Sequence, residues 1–146
     1  MPLHGEYEPS PRPDVREQVA RYEATDGAEG RLFLGRPVVI LTTISAKSGR
    51  LRKNPVIRIE DNGRYAAVSS DGGASRNPAW YHNVSANPEV QLQDGPRKWD
   101  MRARELRGGE KAEWWQRAIS VYPEYSTYQK NVDREIPVFV LEPLAS

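Results

Sequence analysis

The sequence predicts an α+β fold in which six antiparallel strands form a barrel-like sheet with helices on its flank. Three observations predict it. Short runs of alternating or wholly apolar residues come in pairs joined by tight-turn signals, Asn62-Gly63 and Asp94-Gly95-Pro96. Helical stretches are inserted between strand pairs, where a doubly wound parallel sheet would place one after every strand. The length of 146 residues suits one domain, with a core and room for a pocket beside it.

Residues 1–13 carry four prolines and are expected to form an extended, flexible tail ahead of a single domain over 14–146. From Asp14 to Ala24, Val15, Val19 and Tyr22 recur at i, i+4, i+7, predicting a short amphipathic helix with Asp14 as its cap. Glycines 27, 30 and 35 break that pattern. "RPVVILTTI" is apolar and β-branched throughout, as in a strand buried on both faces. After a basic turn, "NPVIRIED" alternates and "RYAAVSS" pairs back across Asn62-Gly63. The glycine-rich "DGGASRNP" leads into a helix opened by Pro78 and closed before Pro88. "EVQLQD" and "KWDMRARELR" form the next hairpin. "GGEKAEWWQRAISVY" is helical, with Ala112, Trp115, Ile119 and Tyr122 expected along one side. A further turn of helix, "PEYSTYQKN", precedes the last strand, "IPVFVLEP".

A net charge of +1 gives no reason to expect a protein that coats nucleic acid. The absence of cysteine excludes disulfides, thiol nucleophiles and cysteine-held metals, and it favours a reducing, cytoplasmic setting. The polar, proline-rich start has no signal-peptide pattern, and the aliphatic run Val38–Leu41 is far too short to span a bilayer. His82 has no second histidine at ligand spacing, and no nucleophile elbow surrounds it, which disfavours zinc and hydrolysis.

Three constellations can carry chemistry. From Arg31 to Ile59 the chain has seven Lys or Arg and no carboxylate, with Lys47, Arg50, Arg52 and Lys53 in one turn. That turn is either an anion site, with Lys47 and Arg52 converging and the Ser48 and Gly49 amides available, or a solvated hairpin. In "VSSDGGASRNPAWYHN", Gly72-Gly73 lets a ligand approach the backbone and the following helix aims its amides at the same space. Trp80 there is either a cofactor shelf or core. Tyr122, Tyr125 and Tyr128 are spaced by three, which predicts a wall of phenols on one side of a helix, or core with wetted hydroxyls.

In order along the chain, "TTxxxKSGxxRxNP", "SSxGGAxxNPAWYxNxxANPxVxxQ", "YPxYxxYQ" and "IPVFVLEP" resemble the deazaflavin-dependent nitroreductase family. The resemblance runs from Pro37 to Pro143. It implies a split β-barrel that uses reduced coenzyme F420, a deazaflavin with a phospholactyl–oligoglutamate tail, with FMN as the alternative ring. By this resemblance Lys47, Ser48 and Arg52 grip the tail, while Asn54, Pro55, Val56 and Ile57 line the ring and its side chain. Val68, Ser69 and Ser70 pass beneath the ring, and Ala79, Trp80, Tyr81, His82 and Asn83 flank it. Tyr122, Tyr125, Tyr128 and Ser70 form the catalytic side. Two positions depart from the family pattern: Ala46 stands where an arginine is usual, and Asp71 where many members have lysine.

The implied activity is hydride transfer to an electron-poor acceptor such as a quinone, an enone or a nitroaromatic. A non-catalytic carrier of the cofactor, or a binder of an anionic partner, is the alternative of another class. The stretch near Asp14 is expected to act as a lid over the ring or to rest on a membrane surface.

Overall fold

The computed structural model describes residues 3–144. Its helices are α1 (Pro13–Ala24), α2 (Ala79–Ala86), α3 (Gly108–Val121) and α4 (Glu124–Lys130). Its strands are β1 (Leu32–Phe33), β2 (Arg36–Ile44), β3 (Leu51–Ile57), β4 (Glu60–Asp61), β5 (Arg64–Val68), β6 (Glu89–Asp94), β7 (Arg97–Glu105) and β8 (Val138–Pro143).

All named pairings are antiparallel, and β2 is the hub. Its residues from Val38 to Thr43 are all buried, so both faces of this strand are covered, as its unbroken apolar run requires. β3 lies on one edge of β2 and β6 on the other, and the sheet continues through β7, β8 and β5 to β4. β3 and β4 are one run of chain interrupted at Arg58-Ile59. The first part pairs with β2, where Arg58 N–H donates to Pro37 C=O at 2.9 Å. The second turns to β5, where Ala66 N–H donates to Ile59 C=O at 2.9 Å. The sheet therefore curls back on itself, and beyond this junction β3 and β5 separate into an open seam. The six expected strands correspond to β2, β3 with β4, β5, β6, β7 and β8; the two-residue β1 was not expected.

The period-two alternation of the strands supplies two cores. Val38, Ile40, Ile57, Ile59, Val138 and Val140 form one, covered by α1 through Val19 and Tyr22 and by α3 through Trp114 and Ala118. Val39, Leu41, Leu92, Met101, Phe139 and Leu141 form the other, closed by Trp80 and Val84 of α2. Each large side chain so buried contributes roughly 1.5–3 kcal/mol. Of the face expected on α3, Trp115, Ile119 and Tyr122 pack on the core, but Ala112 does not and Trp114 was not expected there. Ala112 is exposed and Trp115 half-buried, whereas Trp114 is 1% exposed. The Arg117 and Arg64 guanidinium groups lie over the Trp114 indole and cover its ring.

The segment before α1 runs extended along the free edge of β3. Leu51 N–H donates to Glu6 C=O at 2.7 Å and Glu8 N–H to Leu51 C=O at 2.8 Å, which makes a parallel bridge at Tyr7. Among the described residues no helix is long and apolar enough to cross a membrane.

Candidate active site

The seam between β3 and β5 opens into a pocket of about 360 Å³. The alternating hydrogen bonds of the β2–β3 ladder turn the main-chain groups of Lys53, Pro55 and Ile57 away from β2. Across the seam, Ser69 N–H is spent on Pro137 C=O at 2.9 Å, so Val68 directs its groups into the gap. Among the described residues these facing edges have no strand between them. Buried main-chain polar groups need partners. A flat heterocycle with donors and acceptors along its rim would supply them, and the residues present fit such a group.

The pocket wall brings together Asn54, Pro55, Val56, Ile57, Val68, Ser70, Trp80, Tyr122, Tyr125 and Tyr128 from the expected set. It also includes Val15 and Gln18 of α1, Phe33 at the β1 tip, and Asp71-Gly72. The amphipathic stretch near Asp14 thus forms one side of the pocket, its Val19 and Tyr22 spent on the core. Leu32, Phe33 and Leu34 are 47–64% exposed around the neighbouring hairpin. A second, shallow depression lies between Arg102–Arg104 and Glu142–Leu144, far from the glycine loop and without an aromatic wall.

The glycine loop is set by three consecutive left-handed residues, Asp71 (φ 48°), Gly72 (φ 65°) and Gly73 (φ 85°). Gly73 is obligatory for a second reason, since a Cβ there would stand 2.9 Å from Tyr128 Cδ1. Arg134, which the sequence did not single out, fixes the same loop. It donates to Ser70 C=O at 3.0 Å, Ala74 C=O at 3.1 Å and Asn77 Oδ1 at 2.6 Å. Desolvation pulls its guanidinium below the ordinary arginine range, and the Asp71 carboxylate partly restores it. A signal for it exists only in hindsight: an arginine just before the last strand, whose partners are carbonyls that sequence cannot display.

The three tyrosines do not share one helix. Tyr122 caps the C-terminus of α3, and Pro123 turns the chain into α4, which carries Tyr125 and Tyr128. Both readings of the phenols are realised at once, because Tyr122 and Tyr125 belong to the core at 2% and 4% exposure and still line the pocket. The Tyr122 and Tyr128 hydroxyls are hydrogen-bonded, while the Tyr125 hydroxyl has no protein partner among the described residues. Burial raises the Tyr125 phenol well above the ordinary range, and burial together with the Tyr128 bond does the same for Tyr122. Arg36, paired with Glu124 at 3.0 Å, lies over the Tyr122 ring.

The remaining expected residues lie outside the pocket lining. Ser69 is buried with its hydroxyl donated to Asn77 Oδ1 at 3.0 Å. Ala79 and His82 are exposed, and Tyr81 packs on Phe139. Asn83 is a brace for the basic turn. Its Oδ1 accepts from Ala46 N–H at 3.0 Å and its Nδ2 donates to Thr43 Oγ1 at 3.1 Å. The turn itself corrects one expectation. The Lys47 and Ser48 amides both donate to Ser45 Oγ and the Gly49 amide to Ser45 C=O, so these amides are consumed within the turn. An anion there meets side chains. Arg52 shares the face of β3 with Asn54 and so leads from the turn to the pocket.

The comparisons with known proteins agree with this geometry. The family model described as F420H(2)-dependent quinone reductase matches residues 14–143. An F420H(2)-dependent quinone reductase of Mycobacterium tuberculosis is 34% identical over 131 residues, covering 87% of this chain and 88% of the relative. A solved structure titled an F420-H2 dependent reductase is 51% identical over 73% of this chain and 95% of its own, with a TM-score of 0.70. Another, titled only a domain-swapped dimer, is 47% identical over 86% of this chain and 92% of its own, with a TM-score of 0.73.

Proposed function

The chain belongs to the F420H(2)-dependent quinone reductase family, and on that premise we propose that it reduces quinone- or nitroaromatic-type acceptors with F420H2 as donor. The observation that carries the reading is the seam. Two strand edges with unpaired main-chain groups face each other across an aromatic-walled pocket, with a cationic turn at the end of one of them. The choice of F420 over FMN rests on the cations beside that turn, Lys47, Arg50 and Arg52, which exceed what a single phosphate needs, Lys53 being turned to Glu23 on the other face of β3.

In this reading the Lys53–Ile57 edge and Val68 hold the rim of the ring, and Trp80 and Val56 pack against it. Lys47, Ser48 and Arg52 take the acidic tail. When bound, the reduced cofactor supplies a hydride from a ring carbon. The chain's own contribution is placement, exclusion of water and charge stabilisation. Val38, Ile57 and Val68 keep the inner wall dry, and Tyr122, Tyr125 and Tyr128, packed on the same core, extend that lining. Reduction of an acceptor seated there would leave negative charge on its oxygen. The Tyr125 O–H, protonated at neutral pH and without a protein partner among the described residues, would donate to that oxygen, and Ser70 lines the same pocket.

The test is a titration of F420 and FMN against tryptophan emission, followed by anaerobic turnover of F420H2 with a quinone and a nitroaromatic. Saturable F420 binding and acceptor-dependent oxidation are expected. Preferential binding of FMN, or a preparation that carries a yellow flavin, would overturn the choice of cofactor.

A further inference from the structure

The cationic turn already has anionic partners, and they come from the chain itself. Glu8 accepts a hydrogen bond from Ser48 Oγ at 3.3 Å and lies 3.5 Å from the Arg52 guanidinium. Glu6 lies 4.0 Å from Arg50. Lys53 Nζ sits 4.8 Å above the Tyr7 ring and pairs with Glu23. Of the four cations in the turn, only Lys47 lacks an ion-pair partner among the described residues. Ser48 and Arg52 are also two of the three residues assigned to the cofactor's acidic tail.

We infer that Glu6 and Glu8 are specificity-determining residues of the tail subsite, internal carboxylates that occupy it until a ligand of higher charge displaces them. The inference rests on the functional reading above. The main-chain bridge at Leu51 holds both carboxylates beside the turn, so they compete as a tethered ligand at high effective concentration. A ligand with one negative charge gains little by replacing them. A phosphate followed by several glutamates offers more charges than the segment does, and the half-exposed Arg52–Glu8 and exposed Arg50–Glu6 pairs are of the weak kind that yields. The chain is thereby set to prefer long tails over short ones. One feature makes the arrangement reversible: the segment's own strand contact is a single bridge.

The experiment compares the wild-type chain with Glu6→Gln/Glu8→Gln, which keeps side-chain shape and the main-chain bridge. Binding is measured for F420 with one glutamate, F420 with several, the deazaflavin riboside without phosphate, and inorganic tripolyphosphate. The double variant is expected to bind the one-glutamate cofactor about three- to tenfold more tightly, the range that two weak ion pairs account for. Tripolyphosphate should bind more tightly too, long-tailed cofactor should gain less, and the riboside should be unchanged. Amide exchange supplies a second readout, since protection at Leu51 and Glu8 should fall when long-tailed cofactor binds. Unchanged affinities, weaker tail binding in the variant, or retained protection at Leu51 would each overturn the inference. If the wild-type chain binds no deazaflavin at all, the functional reading fails, while the tripolyphosphate comparison still decides the role of the two carboxylates.

Discussion

The hydroxyl of Tyr122, at the C-terminal cap of α3, lies 2.8 Å from the hydroxyl of Tyr128, on α4, so one hydrogen bond spans the corner made by Pro123. The bond lets a buried and a half-buried phenol satisfy each other where no carboxylate or carbonyl of the described residues reaches them. Tyr128→Phe should leave the Tyr122 hydroxyl unpartnered and cost about 1–3 kcal/mol. Removing both hydroxyls in Tyr122→Phe/Tyr128→Phe should cost less than the sum of the single changes. Urea denaturation of the three variants measures this, and strict additivity would show that the bond is not made in solution.

Tyr125 is the phenol left over. Its hydroxyl has no protein partner among the described residues to lose, so Tyr125→Phe should change stability by less than about 1 kcal/mol. The loss should appear in turnover instead, at about a tenfold fall in kcat or more, with cofactor affinity retained. Stopped-flow oxidation of bound F420H2 by a quinone is the measurement. A variant that unfolds would assign the residue to packing alone.

Burial raises the Tyr125 phenol above its ordinary value, and alkaline stability follows from that direction. Above about pH 10 the unfolded chain releases the proton while the folded chain retains it. The contribution of this tyrosine is therefore complete below that pH and is lost as pH rises toward the folded value. Tyr22, Tyr65 and Tyr122 are raised as well, so the wild type should lose stability steeply in strong alkali. In Tyr125→Phe the slope should be shallower by up to about 1.4 kcal/mol per pH unit. Denaturation series at pH 8, 10 and 11, all in about the same ionic strength, compare the two slopes.

The strands were legible because alternation and turn residues are local signals, and β2 announced its double burial in "VVILTT". β3 begins at Leu51, three residues before the expected start, because Arg52 and Lys53 look like turn residues until the ladder to β2 and the Glu6–Glu8 segment are seen. The pocket members were found through motifs, yet two organising facts were not. Arg134 acts through carbonyls and an amide of a distant loop, and Glu6 and Glu8 act through a bridge to a strand more than forty positions away. Neither long-range relation leaves a periodic trace. The same blindness left Trp114 off the expected face of α3, since helical period cannot show that Arg64 from β5 would roof it.

Gly72 and Gly73 separate backbone strain from collision. Both are left-handed, but a Cβ on Gly72 meets nothing within 4 Å, whereas one on Gly73 meets the Tyr128 ring. Gly72→Ala should cost about 1–2 kcal/mol from conformation alone. Gly73→Ala should cost more and also lower turnover, because the ring of Tyr128 has to leave its place against Tyr122. Thermal unfolding with parallel kinetics distinguishes the two. Equal penalties would mean that the loop moves as a unit and spares the ring.

Arg134 ties the loop before β8 to the glycine loop by three donors, and its own carbonyl accepts from Gln129 Nε2 at 2.8 Å. Gln129 in turn accepts from Ile136 N–H, so α4, the approach to β8 and the pocket floor at Ser70 form one braced unit. Arg134 does not itself line the pocket; its effect passes through the position of Ser70. Arg134→Gln should remove charged hydrogen bonds to a partly buried loop at a cost of about 1.5–3 kcal/mol. Arg134→Lys should recover little, because a single ammonium cannot meet three acceptors held in a fork. For a positioning residue, kcat should fall and riboside affinity should weaken, while tripolyphosphate affinity at the distant basic turn stays constant. Unchanged kinetics in a folded Arg134→Gln variant would show that Ser70 holds its place without the brace.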